Sequence, residues 1–251
     1  MNLGLYVNLL ALSGTAVKLL AWGMSMWNDR SREFRCVRIW LGMLAAEDVI
    51  LFSALKYLGL RSFWYARLYY GIDVLTILCG LFVLLRMAEL AFHGSHSFLP
   101  LLRKGALMAL IGLILISVAG MPSHWTASAT SRTHFVVFAQ SLEQNMNVAG
   151  MLAAMILWGS INALAIPGVR VRRITAAISI SYSTGAFSWS FYSLFRHYEL
   201  VMTAISFVST ISIFLIGWTL AFEKEAAVDT GEFSTTKPLA TGAASGWAGG
   251  R

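Results

Sequence analysis

Seven long apolar stretches, separated by short polar segments, constrain this chain more than any other feature of its sequence. A helix rises ~1.5 Å per residue, so about 20 mainly apolar residues are enough to cross the hydrocarbon layer of a membrane. The stretches are close to that length or longer, which predicts an all-α polytopic membrane protein, a seven-transmembrane-helix bundle. The predicted spans are Leu3 to Trp27, Val37 to Gly59, Phe63 to Leu85, Gly105 to Met121, Thr133 to Leu164, Ile174 to Phe195 and Leu200 to Phe222.

The composition supports this class and limits the number of domains. Of the 251 residues, 57% are hydrophobic and 12% are charged, which is too apolar for an ordinary soluble domain. Residues 1–222 are therefore predicted to form one transmembrane domain. The chain then becomes rich in Gly, Ala, Ser and Thr, which cannot bury enough apolar surface to fold. Residues 223–251 are accordingly predicted to be a disordered cytoplasmic tail.

Basic residues lie mainly in the segments on one side of the predicted membrane. That side holds Arg30, Arg32, Arg35, Arg38, Arg86, Arg103, Lys104, Arg170, Arg172 and Arg173, whereas the other side holds Arg61, Arg132 and Arg196. Segments rich in Lys and Arg stay in the cytoplasm, so the N-terminus is predicted outside and the C-terminus in the cytoplasm. This topology accounts for the net charge of +7, and we do not expect the chain to bind nucleic acid.

Ionisable residues inside the predicted spans are the natural candidates for function, because burying a charge in lipid is costly unless it is paired or hydrated. Lys18 lies in the first span, Glu47 and Asp48 in the second, Asp73 in the third and Glu143 in the fifth. Helix rise places Glu47, Asp73 and Glu143 each roughly 15 Å from one membrane surface. We therefore expect the acids to converge near the bilayer midplane, with Lys18 as their counter-charge.

The fifth span adds amide side chains at the same depth. Gln140, Glu143, Gln144 and Asn147 recur at spacings of three and four residues and so share one helix face, which cannot point at lipid. Glu47 and Asp48 are adjacent and point about 100° apart, so they are not expected to form one paired-carboxylate site. The predicted ligand- or ion-binding residues are Lys18, Glu47, Asp48, Asp73, Gln140, Glu143, Gln144 and Asn147.

Two interpretations of this cluster stay open. It is either a closed hydrogen-bond network that holds the bundle together or a hydrated binding site. The spans offer Lys18, Lys56 and Arg67 as basic partners for four acids. At least one acid is therefore expected to be protonated, hydrated or bound to a cation.

No cofactor, metal site or catalytic residue is predicted. Cys36 and Cys79 provide neither a disulfide framework nor a CxxC metal site. The histidines lie near span ends, where they cannot ligate a haem in the middle of the membrane. They are His93, His96, His124, His134 and His197.

Two family resemblances bear on this interpretation. The seven-helix layout, with Arg67 and Asp73 in the third span, resembles the microbial rhodopsins, but Leu200 to Phe222 contains no lysine for a Schiff base, so no retinal is expected. The stretch from Tyr65 to Glu89 is similar to a segment of uncharacterised bacterial seven-helix integral membrane proteins. That resemblance implies a multi-pass protein of a bacterial inner membrane and implies no particular activity.

These patterns favour a binding or sensing module, or a membrane subunit of a larger assembly. The alternative is a small proton- or cation-coupled transporter, in which the same acids bind and release an ion. An enzyme is a third class that we do not expect, because the spans offer no placed nucleophile and base. Expected partners are membrane lipids and, as a further hypothesis, another membrane protein or a cytosolic protein that contacts the tail.

Overall fold

The computed structural model describes residues 3–27, 32–59, 62–92, 98–119, 131–164, 166, 168–194 and 198–223. These residues form α1 (Leu3–Trp27), α2 (Arg35–Leu58), α3 (Phe63–Ala91), α4 (Phe98–Ala119), α5 (Ser131–Ala163), α6 (Val169–Leu194) and α7 (Tyr198–Phe222). No strand occurs in these ranges, so the predicted all-α class is confirmed there. Of the predicted tail, residues 224–251 lie outside the described residues.

Several helices extend beyond the apolar stretches that predicted them. Helix α3 continues past Leu85 to Ala91, and α6 begins at Val169 instead of Ile174. In α3, the Arg86 guanidinium lies 2.6 Å from the Glu89 carboxylate, an i,i+3 pair that supports the added turns. Charged residues end an apolar stretch, but they do not end a helix.

Three of the helices are long and apolar enough to cross a membrane when only the described residues are considered. They are α3 over its whole length, α5 over Phe138–Ala163 and α7 over Ala204–Phe222. The fold therefore contains helices of membrane-spanning character.

Six helices close into a ring, and one lies outside it. Contacts run from α1 to α2, α3, α5, α6 and α7 in that order and return from α7 to α1. Helix α3 also contacts α6 across the ring. Helix α4 packs against α5 and, over a smaller area, against α3. The interior of the ring is thus bounded by every helix except α4.

Close helix contacts hold the ring together. At the junction of α1 and α7, a Cβ added to Gly217 would lie 2.5 Å from the backbone oxygen of Ala21, so this crossing requires glycine. At the centre, the buried Tyr182 ring of α6 packs against Gly150 of α5, and its hydroxyl donates a 2.9 Å hydrogen bond to the backbone oxygen of Ile77 in α3. These contacts fix α5 and α6 around the interior.

A polar cavity as the candidate functional site

A cavity of about 180 Å³ lies inside the ring. All six ring helices contribute to its wall, which makes it the meeting point of the bundle. Its polar lining residues are Lys18, Glu47, Asp73, Thr76, Asn147, Ser181 and Ser209, and Trp40 and Tyr182 supply aromatic walls.

The charged residues of this cavity occupy the middle of their helices. Glu47 precedes the end of α2 by ~16 Å of helix rise, and Asp73 follows the start of α3, the adjacent end, by ~15 Å. The sequence had predicted this common depth from helix rise alone. The carboxyl groups of neighbouring antiparallel helices therefore meet at one level.

Lys18 and Asp48 form an ion pair at the edge of this cluster. The Lys18 ammonium lies 2.7 Å from a carboxylate oxygen of Asp48, and the Thr15 hydroxyl donates a 3.1 Å hydrogen bond to the other oxygen. The two charged side chains are 19% and 24% exposed. Glu47, the neighbour of Asp48 in sequence, instead lines the cavity. The adjacent acids thus take separate roles, as their angular separation on the helix requires.

Asp73 and Glu143 bring two carboxyl groups together. Asp73 lines the cavity, and the carboxyl group of Glu143, on the neighbouring helix α5, lies near enough to interact with it electrostatically. Glu143 is buried, with 9% of its surface exposed. Two ionised carboxylates close together inside a bundle repel each other unless a proton, a cation or water is held with them. The pair is therefore a candidate place for a proton or a bound cation beside the cavity.

The other predicted residues of α5 take different positions. Asn147 is buried and lines the cavity, where it packs against Gly185 of α6. The Gln140 amide donates a 2.8 Å hydrogen bond to the Tyr70 hydroxyl, away from the cavity wall. Gln144 is exposed and does not line the cavity. Four of the predicted residues thus form the wall, namely Lys18, Glu47, Asp73 and Asn147.

Trp40, Thr76 and Tyr182 belong to the wall but were not predicted. The Trp40 indole donates a 3.2 Å hydrogen bond to the backbone oxygen of Thr76, and Tyr182 likewise donates to the α3 backbone. Both donors are engaged by the protein, so these residues shape the cavity instead of presenting donors to a ligand. Aromatic residues are frequent throughout the chain, and no spacing pattern distinguishes these two.

Basic side chains other than Lys18 do not reach the cavity wall among the described residues. Lys56 is exposed, and the Arg67 guanidinium lies 4.3 Å from the centre of the Phe63 ring, a cation–π contact.

The described residues also contain no group of three or more His, Cys, Asp or Glu side chains that could hold a metal ion. The five histidine side chains lie outside the part of the chain whose side chains are described.

Comparison of the chain with protein-family models, with curated proteins and with solved structures finds no match.

Proposed function

We propose that this chain is a multi-pass protein of a bacterial inner membrane, with seven spans, the N-terminus outside and the C-terminus in the cytoplasm. The lengths of the helices support this placement. The shortest, α4, has 22 residues and the longest, α5, has 33. At ~1.5 Å per residue, even α4 exceeds the ~30 Å hydrocarbon layer. The bias of Arg and Lys toward one side supports the orientation.

Within that membrane the cavity binds a proton or a small monovalent cation, and the chain acts as a binding or sensing module or as a membrane subunit of a larger assembly. One observation carries this proposal. Glu47 and Asp73 face a mid-helix cavity whose basic lining residue, Lys18, is already paired with Asp48. The described part of the wall thus has an excess of acid groups. An exchangeable cation would balance it.

The dimensions of the cavity restrict the ligand. Pockets for drug-sized molecules occupy roughly 300–1,000 Å³. The cavity, at about 180 Å³, is smaller than that range but large enough for an ion with several waters. Its carboxylate, amide and hydroxyl oxygens suit a hard cation.

A small proton- or cation-coupled transporter is the second candidate. The proximity of Asp73 to Glu143 favours it, because a cation entering the cavity can displace a proton held by either acid. A carrier must open the site to each membrane surface in turn, whereas a sensor or subunit needs one opening and a partner. The two candidates therefore share a binding step and differ in net movement of the ion.

Proton release on cation binding tests the shared step. Purified protein in lightly buffered detergent solution is mixed with NaCl, KCl or choline chloride, and the pH is followed with a dye. We expect NaCl or KCl to release up to one proton per protein, with none released by choline, because the methyl groups of choline keep carboxylate oxygens away from its charge. Asp73→Asn and Glu143→Gln should abolish the release. Asp229→Asn, in the predicted tail, is the matched control and should keep it.

Flux in proteoliposomes separates the two candidates. A pH gradient that drives uptake of Na⁺ or K⁺, and that fails to do so in Asp73→Asn, would identify a carrier. Proton release without flux would identify a binding or sensing module. A wild-type protein that shows neither, while eluting as a single species in size-exclusion chromatography, would rule out both and leave the acids as a structural network.

A further inference from the structure

A second and much larger cavity lies outside the ring, between α4 and the faces of α2, α3 and α5. It has a volume of about 1300 Å³. Its shape follows from the helix packing, because α4 contacts only α5 and α3 by more than a few residues and leaves a groove open along its side. We call this space the α4 groove. It shares no lining residue with the polar cavity inside the ring.

The α4 groove has one charged end. Arg32 and Arg35 reach it from the start of α2, Arg86 from α3 and Arg103 from α4. Two acids, Glu33 and Glu89, also line this end, so four arginines outnumber two glutamates. This end coincides with the side of the chain that carries most of its Arg and Lys residues.

Glu89 positions two of these arginines. Its carboxylate lies 2.6 Å from a terminal nitrogen of Arg86 and 2.7 Å from the Nε of Arg103, and thereby joins α3 to α4. Arg86 is 42% exposed and Arg103 is 63% exposed. A guanidinium has five N–H donors, so each of these contacts leaves further donors for another anion. A phosphate accepts such paired donors with good geometry.

From its charged end to its far end, the α4 groove has a length close to that of one leaflet, and apart from the charged end it is mainly apolar. Its α3 wall extends from Glu89 to Leu78, and its α5 wall from Ser160 to Ala149. Each wall spans twelve residues, or ~16 Å of helix rise from its first residue to its last, against ~15 Å for half of the hydrocarbon layer. Ile39, Phe82 and Leu107 supply bulky apolar surface, and the alanines of α5 leave room beside it.

We infer that the α4 groove is a specific binding site for an anionic phospholipid of the inner leaflet. The phosphate lies among the arginines, and an acyl chain extends along α3 and α5. Basic pockets between helices on the cytoplasmic side are the sites at which anionic headgroups bind. A transmembrane helix of a partner fits less well, because it would need contact over the full ~30 Å of the hydrocarbon layer. This inference depends on the proposed membrane orientation but not on ion binding.

Native mass spectrometry of the full chain in detergent tests the inference. The protein is titrated with equal amounts of phosphatidylglycerol and phosphatidylcholine that carry identical acyl chains. We expect one molecule of phosphatidylglycerol to be retained with at least tenfold preference. Equal retention of the two lipids would overturn the inference, since it would indicate ordinary surrounding lipid. So would a lipid-free dimer that excludes phosphatidylglycerol.

Two pairs of variants separate the headgroup from the acyl contacts. Arg103→Gln should weaken retention of phosphatidylglycerol by about fivefold, the effect of one arginine near an anionic headgroup. Arg172→Gln, an exposed arginine of α6 outside the groove, is its control. Ala153→Trp fills the groove and should remove retention, whereas Leu152→Trp, on the same helix but outside the groove, should keep it.

Two further results would count against a lipid site in the α4 groove. Unchanged retention in both Arg103→Gln and Ala153→Trp, with helix content intact by circular dichroism, would overturn it. So would displacement of the lipid by glycerol 3-phosphate alone at equal concentration, because the apolar groove would then contribute nothing. Loss of proton release in an otherwise lipid-binding protein would count against the ion site and leave the lipid site standing.

Discussion

At the scale of single residues, the ion pair between Lys18 and Asp48 determines the charge of the cavity. Asp48 holds the ammonium group at 2.7 Å, so the one positive charge of Lys18 is shared between Asp48 and the two acids of the cavity wall, Glu47 and Asp73. Both side chains are only partly exposed, so each charge is stabilised by the other. Removing one partner leaves the other charge inside the bundle.

A double-mutant cycle measures that dependence. Lys18→Met and Asp48→Leu should each lower the free energy of unfolding by about 2 kcal/mol, between the values typical of exposed and of fully buried pairs. The double variant should lose less than the sum, because no unpaired charge remains. Thermal unfolding in detergent provides the measurement. Additive losses would show that the pair does not stabilise the fold.

The sequence predicts the residues of the cavity only as far as their depth along each helix determines their position. Helix rise predicts Glu47, Asp73 and Glu143 at one level, and in the structure Asp73 and Glu143 lie on helices that contact each other and interact electrostatically. Gln144 shows what the spacing of residues along a helix cannot predict. Residues at spacings of three and four cover a stripe about 100° wide, so a residue at its edge can be exposed while Asn147 is buried. Only packing against a neighbouring helix decides which edge is covered.

At the scale of helices, the closure of the ring depends on the contact between α1 and α7. Hydropathy predicts how many helices form but not which ones are neighbours, because helix faces toward lipid and toward other helices are both apolar. The position of α4 outside the ring was therefore not predictable from its sequence. The close approach of Gly217 to Ala21 is likewise visible only in the folded chain.

Gly217→Ala tests the importance of this crossing. The added methyl group would overlap the α1 backbone, so the free energy of unfolding should fall by about 2 kcal/mol, as for other overpacked cores. Gly159→Ala in α5 is the matched control, since a Cβ there meets no atom within 4 Å. That variant should be neutral or slightly stabilising, because alanine favours helix over glycine. Equal stability of the two variants would contradict the assigned crossing.

For the whole molecule, the proposed membrane orientation requires an odd number of spans with the C-terminus in the cytoplasm. Fusions after Glu223 test this in bacterial cells. A green fluorescent protein should fluoresce there, and an alkaline phosphatase should be inactive, because its disulfides form in the periplasm but not in the cytoplasm. An active phosphatase fusion would contradict the proposed orientation and, with it, the assignment of the arginines to the inner leaflet.

The proposed ion-binding function requires that the acid cluster inside the ring holds an exchangeable proton. Infrared difference spectroscopy of the protein in lipid, recorded across a pH change, measures it most directly. We expect a carbonyl band of a protonated carboxyl group that disappears in both Asp73→Asn and Glu143→Gln and persists in Asp229→Asn. A spectrum with no such band, or a band unchanged in both cavity variants, would contradict the account.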